Sequence, residues 1–365
     1  MFLIARLIAV LMIVVSATTA NAQSIERMAG QMIMVGFTGD DVSDSGFRAV
    51  RRQIAQGRIG GVMYLRTNVS GLDTVRAMNR ALLAASPWMP PLIAVDQEGG
   101  QVRRLTSATG FVDTPSAEAV GRGSVEAAGG RYTELATGLQ SLGFTLNFGP
   151  VVDLDLNPAN PVIGRFQRAF SDDPDRVRRF AEAFVNSHRR AGVITALKHF
   201  PGHGSSSGDT HDGFVDVTRE WNPVELEPYR AIIADDMADM IMVAHIYNAD
   251  YVPTDEEALP ASLAPEWIEG VLRGELGYDG VVISDDMEMS AVTDHFDLEQ
   301  TVVRAVMAGN DILLFSNTAA YDPDLGARIH QIMVDQAAAD PAFADRIEAS
   351  YARIAQLKQR LSAGL

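Results

Sequence analysis

Eight apolar runs of strand length recur along the chain, and the stretches between them carry helical periodicity; no other feature leaves so few folds open. The runs are QMIMVGF (31–37), GGVMYL (60–65), PLIAVDQ (91–97), TLNFGPVVDL (145–154), ITALKHF (194–200), MIMVAHI (240–246), GVVISDD (280–286) and DILLFS (311–316). Between them lie segments such as LDTVRAMNRALLAAS, EAAGGRYTELATGLQSLG, DPDRVRRFAEAFVNSHRRAG and APEWIEGVLRGELG. Several open on Asp or Pro and close on Gly, as helices with satisfied ends do. A strand covered by helices on both faces needs apolar side chains in both directions, so it reads as a continuous run. Eight βα units in one chain predict an α/β fold, a single-domain (β/α)8 or TIM barrel, which takes about 250 residues plus loop insertions. An open doubly wound sheet is the competing architecture, but no G-x-G-x-x-G turn follows the first run. The C-terminal stretch RIEASYARIAQLKQRL reads as the helix that closes the barrel.

With 47% hydrophobic and 21% charged residues, the 365-residue chain has the apolar material for one large core. Its net charge of −17 repels nucleic acid and anionic membrane surfaces, so neither is expected as a partner. Zero cysteines excludes disulfides, thiolate metal sites and a cysteine nucleophile. The first residues, MFLIARLIAVLMIVVSATTANAQS, place Arg6 before an apolar stretch from Leu7 to Val15 and end in Ala20-Asn21-Ala22. That layout predicts a secretory signal over residues 1–22 and a mature catalytic domain over 23–365, exported to the periplasm or secreted, with no stable membrane insertion.

Reactive groups in such a barrel sit at the carboxyl ends of the strands and in the loops that follow. Those positions carry Asp96, Asp153, Lys198, His199, His245, Asp285 and Asp286. Asp153 and Asp155 are read equally as site residues or as caps of a turn. Asp286 reads as a supporting acid and Glu98, before Gly99-Gly100, as a group that fixes a loop. His245 reads as a substrate contact, with a satisfied core histidine at a strand end as the other reading.

The segment KHFPGHGSSSGDTHDG (198–213) concentrates titratable groups on a loose loop. His199 and His203 have metal-pair spacing only on a helix, and Pro201, Gly202 and Gly204 rule out that helix; no metal and no cofactor is assigned. Asp209 two residues before His211 is a carboxylate beside an imidazole, which favours the imidazolium and suits proton exchange near neutrality. The preceding SSSG lets this pair move over a ligand. Asp285 ends an apolar strand, where it is rigid. A fixed carboxylate opposite a proton donor is what acetal cleavage requires, with Asp96, Arg168, Lys198 and His199 supplying charge and hydrogen bonds to a sugar. Only Trp88, Trp221 and Trp267 are available as large aromatic platforms, so a small pocket for one terminal sugar fits better than a groove for a long polysaccharide.

The blocks AVDQEGGQVRRL (94–105), LNFGPVVDLDLNPANPVIGRFQRAF (146–170), KHFPGHGSSSGDTH (198–211), MIMVAHI (240–246), PASLAPEWIEGVLRGELGYDGVVISDDMEM (260–289) and AGNDILLFSN (308–317) resemble those of the glycoside hydrolase family 3 β-N-acetylhexosaminidases. The resemblance spans the chain after its leader, apart from the last helix. It implies an exo-acting barrel that removes terminal β-linked N-acetylglucosamine by a retaining double displacement. Carried over by motif, Asp285 is the nucleophile, His211 with Asp209 the acid/base, and Asp96, Arg168, Lys198 and His199 bind the sugar with His245 close by. The chain departs from the family where RFQ stands between Gly164 and Arg168, so Arg165 and Arg168 compete for the sugar contact; Ala169-Phe170 favours Arg168. The implied substrates are peptidoglycan fragments or chitooligosaccharides. A β-glucosidase, a phosphorylase, substrate-assisted cleavage and a non-catalytic sugar-binding barrel are the alternatives.

Overall fold

The computed structural model describes residues 24–86, 88–252 and 258–362; the leader expected over residues 1–22 lies outside them. Among the described residues, eight parallel strands close into a barrel: β1 (Ile33–Gly36), β2 (Gly61–Tyr64), β3 (Leu92–Val95), β4 (Leu146–Asn147), β5 (Ile194–Phe200), β7 (Met240–Val243), β9 (Val281–Asp286) and β10 (Ile312–Phe315). Two further strands, β6 (Val215–Asp216) and β8 (Ile246–Tyr247), pair with each other outside the barrel. Every barrel strand is buried up to its carboxyl end, and only the terminal Asp285 and Asp286 of β9 reach intermediate exposure. The seam closes where Met34 of β1 registers with Leu314 of β10 on one side and with Gly61 of β2 on the other.

The α/β barrel expected from the apolar runs is the fold observed, with two local differences. The fourth run yields only the two residues of β4, since Pro150 has no N–H to continue the ladder; Val151 regains a single bridge to Lys198. The sixth run splits, and its end, Ile246, leaves the barrel to pair with Val215. The helices end as their sequences require. The helix Pro174–Ala191 starts on an Asp173 cap with Pro at its first turn and stops at Gly192, whose φ of 75° is left-handed. Residues 266–275 wind more widely than an α-helix.

Two buried acids mark the amino ends of the strands. Asp239, just before β7, accepts from Arg189, Arg360 and the Thr195 hydroxyl, while Asp311, just before β10, accepts from Arg273, Arg353 and the Val282 amide. Arg353 and Arg360 belong to the helix Pro341–Ser362, so these pairs fasten the closing helix to the foot of the barrel. No described helix is long and apolar enough to cross a membrane.

Candidate active site

The carboxyl ends of the strands open into a cavity of about 570 Å³, within the usual range for a small-molecule site. Its floor is apolar: Met63 from β2, Phe148 beyond β4, Met242 from β7 and Leu314 from β10. Asp96, Arg168, Lys198, His199, Asp209, His211 and Asp285 all line it, so the barrel brings together seven of the residues singled out in the sequence. Arg168 is largely enclosed whereas Arg165 is exposed outside the cavity, which places the competing arginine away from the site.

One wall is a network of paired charges. Lys198 Nζ lies 2.8 Å from Asp96 Oδ1 and 2.7 Å from Glu98 Oε1, and Arg168 grips both oxygens of Glu98 at 2.7 and 2.9 Å. Burial opposes the ionised form of Glu98, but the Arg168 and Lys198 cations outweigh it and hold the carboxyl well below its ordinary range. Asp96 is lowered in the same way by Lys198 and Arg104, against burial. Glu98 thus does more than fix a loop: it sets the position of two cations that face the cavity.

His199 is oriented from behind. Its Nδ1 lies 2.7 Å from Asp153 Oδ2 and its Nε2 3.2 Å from Arg168 Nη2. A guanidinium can only donate, so Nε2 accepts and the ring proton sits on Nδ1, facing Asp153. Asp153 also accepts from the amides of His199 and His203, so it is a buried anchor for the start of the histidine loop. Of the two readings the sequence allowed, a cap of a nearby turn is not the one observed.

Asp285 closes the opposite side. Burial opposes its ionisation, yet the imidazoles of His199, His245 and His211 and the Asp286 amide bring its pKa down to about 2. It is a carboxylate at neutral pH. Asp286 also lines the cavity, with Oδ1 accepting from the amides of Ser316 and Glu288, and burial raises its pKa. His245 lies outside the cavity lining. Its ring is fully buried and absent from the cavity wall, with Nε2 3.0 Å from the Asp286 carbonyl and Nδ1 2.6 Å from the Ser262 hydroxyl. A carbonyl only accepts, so Nε2 donates; the ring braces the end of β9 from outside the cavity.

The histidine loop joins the site from β5. Asp209 Oδ1 lies 2.8 Å from His211 Nδ1 and accepts from the His211 amide at 2.9 Å, so the carboxylate points Nε2 of the ring outward. Most of the His211 side chain is exposed, at 64%. The loop is held at its start by Glu225, which accepts from Gly204 and Ser205, and at its tip by the Thr210 carbonyl, which accepts from Ala291. A Cβ at Gly204 would stand 1.9 Å from the Leu154 carbonyl, so only glycine admits this approach.

Arg104 was missed in the sequence. It lines the cavity and donates to Asp96 Oδ2 at 2.9 Å. The signal was the pair Gly99-Gly100, both at positive φ, which reverse the chain after β3 and return the next residues to the strand end they left. Phe166 of the RFQ segment also lines the cavity, and nothing in the spacing of the chain indicated it.

Comparison with known proteins agrees with this geometry. The model of the glycosyl hydrolase family 3 N-terminal domain matches residues 24–357. The chain is 33% identical to beta-hexosaminidase A of Pseudoalteromonas piscicida over 94% of its own length and 63% of that protein's, so it spans under two thirds of that relative. It is 34% identical to a beta-hexosaminidase of Stenotrophomonas maltophilia (strain K279a), over 81% of this chain and 86% of the other. Among solved structures, a beta-N-acetylhexosaminidase from Beutenbergia cavernae superposes with a TM-score of 0.84 at 30% identity, covering 93% of this chain and 99% of that one. A glycoside hydrolase family 3 beta-N-acetylglucosaminidase from Paenibacillus sp. FPU-7 gives 0.82 at 34% identity, covering 94% and 64%. With the barrel, the cavity and these similarities in place, the chain belongs to glycosyl hydrolase family 3.

Proposed function

We propose that this family 3 glycoside hydrolase is an exo-acting retaining β-N-acetylhexosaminidase that releases terminal β-linked N-acetylglucosamine. The observation that carries the reading is the placement of a strand-end, ionised Asp285 and a loop-borne His211–Asp209 pair on the wall of one small cavity. In the first step the Asp285 carboxylate attacks the anomeric carbon while His211 gives its Nε2 proton to the departing oxygen, forming a glycosyl ester. In the second, His211 takes a proton from water as that water displaces Asp285. Asp209 steadies the imidazolium that each half-reaction passes through. The sugar is held by Asp96, Arg168, Lys198 and His199, with Arg104 beside Asp96. A cavity closed by an apolar floor suits one terminal ring, which favours short oligosaccharides such as peptidoglycan fragments or chitooligosaccharides as substrates. Residues 1–22 act as an export signal in this reading, with 23–365 as the exported catalytic domain.

The test is to incubate the purified protein with a fluorinated N-acetylglucosamine donor and locate the adduct by mass spectrometry. The expected result is a sugar ester on the peptide bearing Asp285. Labelling elsewhere, or none while turnover continues, would overturn the assignment. Parallel assays on aryl N-acetyl-β-glucosaminide and aryl β-glucoside, with and without phosphate, separate this activity from glucosidase and phosphorylase.

A further inference from the structure

His203 is the one histidine of the loop that the proposed reaction leaves without work. Its ring lines the cavity with Asp209, His211 and Asp285, yet the residue is only 3% exposed. Neither ring nitrogen has a hydrogen-bond partner among the described residues. An imidazole buried in this way forfeits the solvation of both nitrogens unless a partner arrives.

The backbone of His203 cannot move to find one. Its amide donates to Asp153 Oδ1 at 2.8 Å and its carbonyl accepts from Asn160 Nδ2 at 2.7 Å, and both of these groups are buried. The partner must come to the ring. Asp153 is already filled by two amides and the His199 ring. Asp209 lies six residues on, across the SSSG stretch, and both of its bonds to His211 fall on Oδ1, leaving Oδ2 for another donor. Burial opposes ionisation of Asp209, but the hydrogen bonds from the amide and ring of His211 hold its pKa below the ordinary range, so it presents a carboxylate. Burial keeps the His203 ring neutral at neutral pH, with one N–H to give.

We infer that His203 is a positioning residue for the acid/base: when the loop closes on bound sugar, its ring N–H donates to Asp209 Oδ2 and sets up the chain His203–Asp209–His211. This rests on the roles given above to His211 and Asp209. The His203 ring touches neither the sugar nor the departing oxygen; it aims the group that does.

The experiment compares kcat/KM for phenyl and 2,4-dinitrophenyl N-acetyl-β-glucosaminide in the wild type, His203→Ala, His203→Gln and His211→Ala, with melting temperatures taken in parallel. Phenol needs a proton to leave and dinitrophenol does not, so only the first reports on the aim of the acid. The expected outcome for His203→Ala is a loss of about 10- to 100-fold on the phenyl substrate, a fraction of a full acid's contribution, with about twofold or less on the dinitrophenyl substrate. His203→Gln, which keeps a donor, recovers most of the loss. Equal slowing of both substrates would place the ring against Asp285 or in packing alone and overturn the inference, as would no change in either. If His211→Ala itself shows no dependence on leaving group, the acid role of His211 fails and this inference falls with it; if only the His203 variants lack that dependence, the acid role stands and this inference alone is lost.

Discussion

Asp153 Oδ2 and His199 Nδ1 stand 2.7 Å apart behind the cavity wall, and this bond fixes how the His199 ring is presented to the cavity. Asp153→Asn exchanges an acceptor for a group whose amide cannot pair with both the ring N–H and the two backbone amides. A charged hydrogen bond of this kind contributes about 1.5–3 kcal/mol, so kcat/KM on an aryl N-acetyl-β-glucosaminide is expected to fall about 10- to 100-fold. Unchanged kinetics would reduce Asp153 to a structural anchor of the loop.

Lys198→Met tests the charge network. It strips Asp96 and Glu98 of their shared cation while Arg104 and Arg168 remain, and a buried pair broken on one side costs about 3–5 kcal/mol. The stability that Glu98 contributes is full above its unfolded pKa of 4.5 and is lost as pH falls through its depressed folded value. The gap between wild type and variant is therefore widest near neutrality and narrows as pH falls below 4.5. Urea unfolding from pH 7 down to pH 3 measures it; a gap that stays constant would show that Lys198 acts through packing alone.

Glu225 behaves in the opposite sense. Burial is the main cause that pushes its carboxyl up to about 7, despite the bonds from Gly204 and Ser205. A raised pKa contributes stability that is full below the unfolded value of 4.5 and is lost as pH rises through the folded one. Relative to Glu225→Gln, the wild type should gain on the order of 3 kcal/mol as pH is lowered from 8 to 4.5. Parallel unfolding curves for the two proteins would refute this.

Asp239 supplies a control far from chemistry. It is fully buried at the foot of β7 and accepts from Arg189 and Arg360 at 2.7 Å each. Asp239→Ala leaves both guanidinium groups without their shared anion and should cost about 3 kcal/mol of stability. KM at 25 °C should not change, because the cavity lies at the other end of the strands. A raised KM with stability intact would contradict the division between foot and mouth.

The barrel was readable because doubly covered strands have to be apolar throughout, and no other class of element produces such runs at such spacing. The site was readable wherever a polar side chain ends a strand: Asp96, Lys198, His199 and Asp285 follow from position alone. What escaped lies where contact depends on how a loop returns. Arg104 comes back to Asp96 only through the turn at Gly99-Gly100, and Asp153 reaches His199 across two different strand ends. His245 sits at a strand end like the others, yet β8 draws the chain outward just after it, so its ring turns into the packing behind β9. Asp239 and Asp311 were overlooked because acids at the amino ends of strands look no different in sequence from those at the carboxyl ends.

The pairing of β6 with β8 limits how far His211 can travel. Val215 is stitched to Ile246 and Asp216 to Tyr247, so the chain leaving His211 is moored to the chain leaving His245. With Glu225 as the second mooring, the imidazole hangs on a leash of fixed length whose two ends are both held outside the barrel. Lengthening the SSSG stretch would give it more reach and a poorer aim.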